Sequence, residues 1–300
     1  MKNFTVSAVI PVYNREKIMA EVLGAVVNQS RPFDEIIIAD DGSTDKTVEI
    51  AKTFPVKVVQ SNHVERIAIR NAGLKAATGD IVAFIDSDLV LSKDWLKEVL
   101  KGFEQGYAAV VDRRQVYKPN TFVAKMNDHF FNVRYKKYKP FTAWIFKKDI
   151  LEEVGRFNEN TPIGTEDVEL ADRLFAAGHK IWFAKDAVCW HMGEPRSFRE
   201  QAKRDFWFGS NTCKYRLRTG TPKFYLKEAT FTLLPFLLLK PILFVVLFSL
   251  LYLNVFIRNI LRGMSLKFLF INPIYMLWGE FAFTCGLWYG ILFGHARNYH

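Results

Sequence analysis

The chain has 300 residues, half of them hydrophobic, and a formal net charge of +10 at pH 7. This length allows one large domain or two small ones, each with a sizeable core. Residues 111–231 hold 23 Lys and Arg against 15 Asp and Glu, and residues 232–300 hold 5 against 1. A basic middle section beside an apolar tail favours a membrane surface as partner, and we expect no nucleic acid.

Short β-rich runs alternate with helical patterns over residues 4–112. The predicted strands are Val6–Ile10, Glu35–Ala39, Val56–Val59, Ile81–Ile85 and Ala108–Val111. This βαβ alternation predicts an α/β fold, with a mainly parallel sheet covered by helices on both faces. After Asp112 the pattern loosens, and it resumes with a strand near Thr142–Phe146 and a helix near Asp167–Ala177.

Residues typical of turns follow the first two predicted strands. Pro11, Tyr13 and Asn14 come after the first strand, and Asp40 and Asp41 come after the second. Ligands of open α/β sheets bind beyond the carboxyl ends of the strands, so these residues are candidates to line a nucleoside pocket. The alternative is ordinary turn chemistry, for which Pro, Asn and Asp are common residues.

The segment that continues from Asp41 precedes a helical pattern. Asp45 and Thr47 lie in it, and they are as well explained by helix capping as by ligand binding. Two Arg residues, Arg66 and Arg70, are four positions apart on the next helical pattern and so share a face. They could approach a diphosphate or a ribose, or they could form a solvated helix face.

Asp86-Ser87-Asp88 follows the predicted strand Ile81–Ile85. Two carboxylates one residue apart at a strand end can hold a divalent cation, which commonly bridges to a diphosphate. His191 closes a later strand-like run and is a candidate to complete that metal site, although an isolated His is more often structural.

Gly164-Thr165-Glu166-Asp167 opens the later helix. Thr165 could be its N-cap, with the acidic residues favoured by the helix dipole. Alternatively, Asp167 is a general base that takes a proton from an attacking hydroxyl.

The tail contains two long apolar stretches. Residues 241–257 carry no charge, and residues 268–294 carry only Glu280. We therefore expect a membrane domain over residues 221–300, with transmembrane helices at about 241–258 and 268–293 and an interfacial helix at about 225–239. The alternative is a buried core helix followed by a single span.

Basic residues beside the first stretch, together with Arg297 at the far end, outnumber those in the intervening loop. The positive-inside rule then places the catalytic domain, residues 1–220, on the cytoplasmic face of an integral cell-membrane protein. Residues 1–14 look like a first strand rather than a signal peptide. Cys189, Cys213 and Cys285 have neither metal-binding spacing nor an even count, which suits a reducing compartment.

Six motifs in order resemble membrane-attached family-2 glycosyltransferases with the GT-A fold, over about residues 4–207. These motifs are Pro11-Val12-Tyr13-Asn14, Asp40 to Asp45, Arg70-Asn71-Ala72-Gly73, Asp86-Ser87-Asp88, Glu166-Asp167 and Trp190-His191. The sequence also resembles cellulose-synthase-like glycosyltransferases and glycosyltransferases that act on lipid-linked glycans. It implies transfer of a hexose from a nucleotide sugar.

The resemblance implies roles for individual residues. Catalysis is assigned to Glu166 and Asp167, with Asp167 as the base of an inverting transfer. Asp88, helped by His191, would bind Mg²⁺ or Mn²⁺ through the donor diphosphate. The residues implied to bind the nucleotide sugar, with Asp41 at the base and Asp86 at the nucleoside, are Pro11, Tyr13, Asn14, Asp41, Arg70, Asp86 and Arg204.

Gln201-Ala202-Lys203-Arg204 resembles the start of the Gln-x-x-Arg-Trp motif, but Asp205 stands where Trp is expected. Two spans are also too few to build a polymer channel. We therefore expect transfer of one sugar, with Arg204 reaching the diphosphate.

Two acceptors are compatible with these residues. A lipid-linked glycan presents a hydroxyl that needs a base, whereas a polyprenyl phosphate is already ionised; a base at Asp167 favours the hydroxyl. The basic, aromatic segment at residues 134–139 and the apolar tail favour an acceptor held in the bilayer.

Two other protein classes are alternatives to a glycosyltransferase. A membrane-anchored nucleotide-sugar-binding protein without turnover would not need Asp88, Asp167 and His191 together. A Rossmann dehydrogenase is excluded because no Gly-x-Gly-x-x-Gly follows the first strand.

Overall fold

The computed structural model describes residues 4–62, 65–135, 143–161, 164–218, 232, 241–261, 264 and 266–293. The chain forms two compact units. The first comprises residues 1–118 and 137–193, and the second comprises residues 119–136 and 194–300. The sequence prediction placed a domain boundary at residue 220, whereas these units place residues 119–136 and 194–218 with the tail.

A mixed sheet forms the centre of the first unit. Its strands are β1 (Val6–Val12), β2 (Glu35–Asp40), β3 (Lys57–Gln60), β4 (Ile81–Phe84), β5 (Leu89–Leu91), β6 (Ala109–Val116), β7 (Ile145–Lys147) and β8 (Ile181–His191). β1 to β4 and β6 confirm the five strands predicted from the alternating pattern. β7 confirms the predicted strand near Phe146.

The strand order is β3-β2-β1-β4-β7-β6-β8-β5. β1 runs parallel to β2 and β4, and β2 runs parallel to β3. β7 is antiparallel to both β4 and β6, so β6 and its parallel neighbour β8 run in the direction of β1. The carboxyl ends of β1, β2, β4 and β8 therefore lie at one edge of the sheet, where the sequence placed the site.

Helices cover the sheet. The helices of the described residues are α1 (Met19–Val27), α2 (Thr47–Ala51), α3 (Arg66–Ala76), α4 (Trp95–Glu104), α5 (Phe122–Tyr135), α6 (Lys148–Glu153), α7 (Glu166–Ala176), α8 (Phe198–Arg218), α9 (Pro241–Leu261), α10 (Leu266–Leu269) and α11 (Ile271–Phe293). α7 confirms the helix predicted near residues 167–177.

The core of the first unit has two layers, because alternate residues of a strand face opposite sides of the sheet. Ala8 and Ile10 of β1 pack in one apolar cluster, which also contains Leu23 of α1. Val9 packs in the other cluster, together with Leu74 of α3. The prediction of helices on both faces is confirmed.

Close packing at Gly73 fixes α3 on the sheet. A Cβ atom at this position would lie 2.3 Å from Val9 Cγ1, well inside van der Waals contact. Only a residue without a side chain allows this approach, so Gly73 has a structural reason within the motif Arg70-Asn71-Ala72-Gly73. The close packing sets the height of Arg70, one turn earlier in α3, above the sheet edge.

The second unit contains α5, α8, α9, α10 and α11. α8 and α11 cross at two glycines: a Cβ on Gly209 would lie 2.0 Å from the Phe283 carbonyl oxygen, and one on Gly286 would lie 1.9 Å from that of Phe206. The two backbones can approach this closely only where side chains are absent.

The tail helices α9 and α11 lie where the two apolar stretches predicted helices. None of the helices in the described part of the chain is both long and apolar enough to cross a membrane. The transmembrane part of the predicted fold therefore lacks support. The predicted interfacial helix at 225–239 lies outside the described residues, apart from Thr232.

Candidate active site

The loops after β1 and β2 are joined by hydrogen bonds. The Thr44 N–H donates to Asn14 Oδ1 at 2.9 Å, and the Asn14 N–H donates to Ser43 Oγ at 2.9 Å. Asn14 adopts a left-handed backbone conformation, with φ 51°, which Asn tolerates better than most residues. These bonds bring the two predicted loops together at one place.

The remaining predicted residues of these loops differ in exposure. Asp41 is 5% exposed and accepts a hydrogen bond from Ser61 Oγ at 3.2 Å, and Asp40 is fully buried. Tyr13 is 43% exposed, and Pro11 lies within β1, opposite Ala39 of β2. The structure therefore gathers Pro11, Tyr13, Asn14 and Asp41 around the paired ends of β1 and β2.

Asp45 has a structural role in the same loops. Its carboxylate accepts hydrogen bonds from the Thr47 N–H at 2.9 Å, the Thr47 hydroxyl at 2.5 Å and the Glu16 N–H at 3.1 Å. The bond from the Thr47 N–H satisfies a backbone donor at the start of α2, and the bond from the Glu16 N–H joins the loop after β1 to it. The explanation by turn and cap chemistry is therefore favoured for Asp45 and Thr47.

Asp86, directly beyond β4, lies between two arginines. Arg70 Nη2 donates to its Oδ1 at 2.8 Å, and Arg114 Nη2 lies 3.4 Å from its Oδ2. Burial opposes ionisation, but the charges of Arg70 and then Arg114 outweigh it and hold the pKa of Asp86 well below its usual value. Asp86 is therefore an anion across the physiological pH range.

Asp88 and His191 meet at the ends of β4 and β8. His191 Nε2 lies 3.4 Å from Asp88 Oδ1, because β5 pairs Leu89 directly with His191. Gly193 leaves room beside them, since a Cβ there would lie 2.7 Å from Asp88 Oδ2.

The predicted metal ligands fit a divalent cation in chemistry. A carboxylate and an imidazole are both ligands that Mn²⁺ accepts, and a diphosphate would supply further oxygens. Among the described residues, no group of three or more His, Cys, Asp or Glu side chains could hold a metal by itself. Asp88 and His191 are therefore the pair that could hold Mg²⁺ or Mn²⁺ with help from a bound diphosphate.

Glu166 and Asp167 begin α7 and have different surroundings. Glu166 is buried; its Oε1 accepts from Arg70 Nη1 at 2.8 Å and its Oε2 accepts from the Gly164 N–H. Asp167 is only partly buried and accepts from the Val168 N–H at 2.9 Å. Burial, followed by the neighbouring charge of Glu166, raises the pKa of Asp167 to about 6.

These surroundings give the Glu166 and Asp167 carboxylates different chemical properties. Both oxygens of Glu166 are occupied by fixed donors, whereas Asp167 has the basicity that a general base near neutral pH requires. Thr165 is the N-cap residue of α7 and Glu166, Asp167 and Glu169 lie in the first turn, as the N-cap alternative predicted, although the Thr165 side chain makes no capping hydrogen bond. The helix start therefore explains the position of the acidic residues, and a role of Asp167 as general base stays a prediction.

Arg204 belongs to the second unit. There it bonds to Glu194 and donates from Nη2 to Gln201 Oε1 at 3.0 Å. The assignment of Arg204 to the donor diphosphate stays a prediction.

Three residues at the site were not predicted from the sequence. Arg114 of β6 lies beside Asp86, and Arg15 Nε donates to Ser87 Oγ at 3.3 Å. The Arg70 guanidinium carbon lies over the Trp144 ring, 4.7 Å from the ring centre. The consecutive Arg113 and Arg114 in a strand pattern were the one available signal, since charged residues are uncommon in strands of a buried sheet.

The sequence profile of glycosyl transferase family 2 matches residues 7–161, which is half of the chain. The chain belongs to glycosyl transferase family 2. The predicted family and its enzymatic activity are therefore confirmed, and the alternative of a binding protein without turnover is not supported. The matched range contains Asp41, Arg70, Asp86 and Asp88.

Two relatives show how far the likeness of this glycosyltransferase extends. Glycosyltransferase AglE of Haloferax volcanii is 30% identical over 221 residues, which cover 68% of this chain and 71% of AglE. Chondroitin synthase of Escherichia coli is 27% identical over 271 residues, covering 74% of this chain but 39% of that protein.

A solved structure supports the GT-A-like fold. The mannosyltransferase PcManGT of Pyrobaculum calidifontis, determined in complex with GDP-Man and Mn²⁺, aligns with a TM-score of 0.67 at 19% identity. The alignment covers 97% of this chain and 88% of the mannosyltransferase. The likeness at this identity concerns the fold.

Proposed function

We propose that this glycosyltransferase moves one sugar from a UDP- or GDP-sugar to a hydroxyl of a lipid-linked glycan, with inversion at the anomeric carbon. The observation that carries the proposal is Asp167, a partly exposed carboxylate whose pKa is raised to about 6. At neutral pH such a group is ionised and still basic enough to take a proton from a hydroxyl in the transition state.

The donor is proposed to bind at the edge of the sheet formed by the ends of β1, β2 and β4. Asp41 would contact the base and Asp86 the nucleoside, with Pro11, Tyr13 and Asn14 lining the pocket. Support comes from the position of these residues at or beyond the carboxyl ends of parallel strands, where ligands of α/β sheets bind. The mannosyltransferase with a similar fold was determined with GDP-Man.

Asp88 and His191 are proposed to hold Mg²⁺ or Mn²⁺. When bound, the ion would neutralise the negative charge that develops on the departing nucleoside diphosphate. The support is the 3.4 Å approach of the two side chains and the Mn²⁺ in the structure of the mannosyltransferase.

The chemical step proposed for Asp167 is a single displacement. The acceptor hydroxyl oxygen bonds to the anomeric carbon while its proton passes to the Asp167 carboxylate, and the bond from that carbon to the diphosphate oxygen breaks. Attack on the face opposite the leaving group inverts the anomeric centre. The buried Glu166, bonded to Arg70 and Gly164, keeps the first turn of α7 in place during the reaction.

A lipid surface is proposed as the partner of the second unit. One side of α9 packs against Leu277 of α11, through residues that include Leu251 and Val255. Seven further apolar side chains of α9 are exposed, and those from Val246 to Ile260 recur every three or four residues: Val245, Val246, Leu250, Leu253, Ile257, Ile260 and Leu261. This spacing forms an apolar stripe suited to the interface of a bilayer, where a lipid-linked acceptor is also found.

The cytoplasmic face of the cell membrane is the proposed location. Cys189 and Cys285 are free thiols, which suits a reducing compartment. The basic character of residues 111–231 also suits an anionic inner leaflet.

The test uses the full chain with Mn²⁺ and a panel of UDP- and GDP-sugars labelled in the sugar. We expect label to enter an organic-extractable lipid only when a lipid-linked glycan is supplied. Transfer to polyprenyl phosphate alone would replace the hydroxyl acceptor by a phosphate. Absence of transfer from every donor would contradict the proposed reaction.

A further inference from the structure

Arg70 joins two carboxylates from distant parts of the sequence. Its side chain is 2% exposed, and Nη2 donates to Asp86 while Nη1 donates to Glu166, each at 2.8 Å. Asp86 follows β4, and Glu166 is the first residue of α7. One guanidinium therefore links the strand end of the proposed nucleoside site to the turn that carries Asp167.

Aromatic rings hold this guanidinium in place. Trp144 lies 4.7 Å from the Arg70 guanidinium carbon, measured to the ring centre, and Phe157 lies 6.0 Å from it. The two rings stack at 6.2 Å with their planes 25° apart. A planar guanidinium with two occupied ends and an aromatic neighbour is a geometry that Arg provides and Lys does not.

The same contacts leave Arg70 little capacity for a ligand. The Arg70 side chain is 2% exposed, so a diphosphate could reach its remaining N–H groups only if the side chains around it moved. Arg114 differs, because its side chain is 25% exposed beside the same Asp86. The sequence prediction that Arg70 binds the nucleotide sugar is therefore not favoured by its surroundings.

We propose that Arg70 is a positioning residue that clamps Asp86 to Glu166 and thereby fixes Asp167 relative to the donor. This rests on the proposed function, since it assumes that Asp86 lies at the donor and that Asp167 is the base. The clamp acts through geometry, and Arg70 itself contacts neither the donor nor the acceptor.

The test compares Arg70→Lys and Glu166→Gln with Arg31→Lys in the full chain. Arg31 is a matched control because it also bonds to a carboxylate, Asp34, and to main-chain oxygens, outside the site. Two quantities are measured for each variant: the Kd of UDP or GDP with Mn²⁺, by calorimetry, and kcat and KM for transfer.

We expect Arg70→Lys to lower kcat by about 10²-fold, because a small displacement of a catalytic group has an effect of this size. The Kd of the nucleoside diphosphate should change by less than about threefold, because Arg114 still holds Asp86 in the variant. Glu166→Gln should act in the same direction, and the double variant should lose little more than Arg70→Lys alone. Arg31→Lys should match the wild type.

The opposite pattern would overturn the clamp. A Kd that rises by about tenfold or more with kcat nearly unchanged would mean that Arg70 contacts the diphosphate. Losses in the single variants that multiply in the double variant would mean that Arg70 and Glu166 act independently. If Arg70→Lys fails to fold, the Kd, kcat and KM of Glu166→Gln and Trp144→Phe test the clamp instead.

A readout without turnover separates this proposal from the proposed function. If the wild type transfers no sugar, the proposed function fails, and the clamp is judged by hydrogen exchange. Amides of residues 164–168 should exchange faster in Arg70→Lys than in the wild type and Arg31→Lys. Unchanged exchange there would overturn the clamp on its own.

Discussion

The loops after β1 and β2 and the ends of β4 and β8 lie at the same edge of one sheet, but they are stabilised differently. In the first region, Asn14 and Asp45 bond mainly to backbone N–H groups. In the second region, ionisable side chains face one another: Asp86 with Arg70, and Asp88 with His191.

This difference indicates how each region responds to a ligand. Backbone donors keep their positions whether or not a donor sugar is bound, so the first region is a fixed frame. The side chains of the second region are held by one another, so a substitution there displaces the groups proposed to hold the cation and to position the base. Substitutions in the second region should therefore affect the reaction, and those in the first should affect donor affinity and stability.

The largest expected effect is that of Asp88→Ala. It removes a carboxylate proposed to hold the cation, so transfer should fall by about 10³-fold or more. Transfer assays with Mn²⁺ measure the loss, and chelation of the metal should abolish wild-type activity. Asp186→Ala, which removes an exposed carboxylate from β8, is the control. An Asp88→Ala enzyme as active as the wild type would remove Asp88 from the site.

The dependence of kcat/KM on pH tests the role of Asp167 without a substitution. Burial and Glu166 raise the pKa of Asp167 to about 6, so the base is protonated and inactive below that pH. We expect kcat/KM to fall about tenfold per pH unit below pH 6 and to level off above it. An acidic limb near pH 4, the ordinary range of a carboxyl, would contradict the assignment.

Asp41→Asn tests the first region by affinity. The carboxylate is proposed to accept a hydrogen bond from the base, and bonds to charged groups contribute enough to change binding about tenfold. Calorimetric titration with UDP and GDP should record this loss, with kcat nearly unchanged. If kcat falls and affinity is retained, the division between the two regions is wrong.

The smallest expected effect is that of Asp45→Ala. The variant loses acceptors for Thr47 and Glu16, so the free energy of unfolding should fall by about 1 kcal/mol, as measured by urea denaturation. Transfer at a temperature where both proteins are folded should match the wild type. Lost activity with unchanged stability would make Asp45 a ligand contact instead.

Much of the first region could be predicted from the sequence. Apolar runs that are followed by Asn14 or Asp41 mark strand ends, and parallel strands bring those ends to one edge. The explanation of Asp45 by capping was also available, because its spacing to Thr47 is local. Such features depend on neighbours within a few residues.

The charged contacts of the second region depend on long-range packing. Arg70 and Glu166 are 96 positions apart, and their pairing follows from the close packing of α3 at Gly73 and the start of α7. Trp144 and Arg114 lie in no recognisable motif, so their position beside Arg70 and Asp86 could not be predicted. A sequence pattern indicates that Arg70 is on a helix but does not indicate its partners.

The most direct test of the central claim measures donor binding and sugar transfer in one preparation of Asp167→Asn, with Asp172→Asn of the same helix as control. If Asp167 is the base, the Kd of the nucleoside diphosphate stays within about threefold of the wild type, while transfer falls by about 10² to 10⁴-fold. Transfer at the wild-type rate in Asp167→Asn would contradict a base acting on a hydroxyl acceptor.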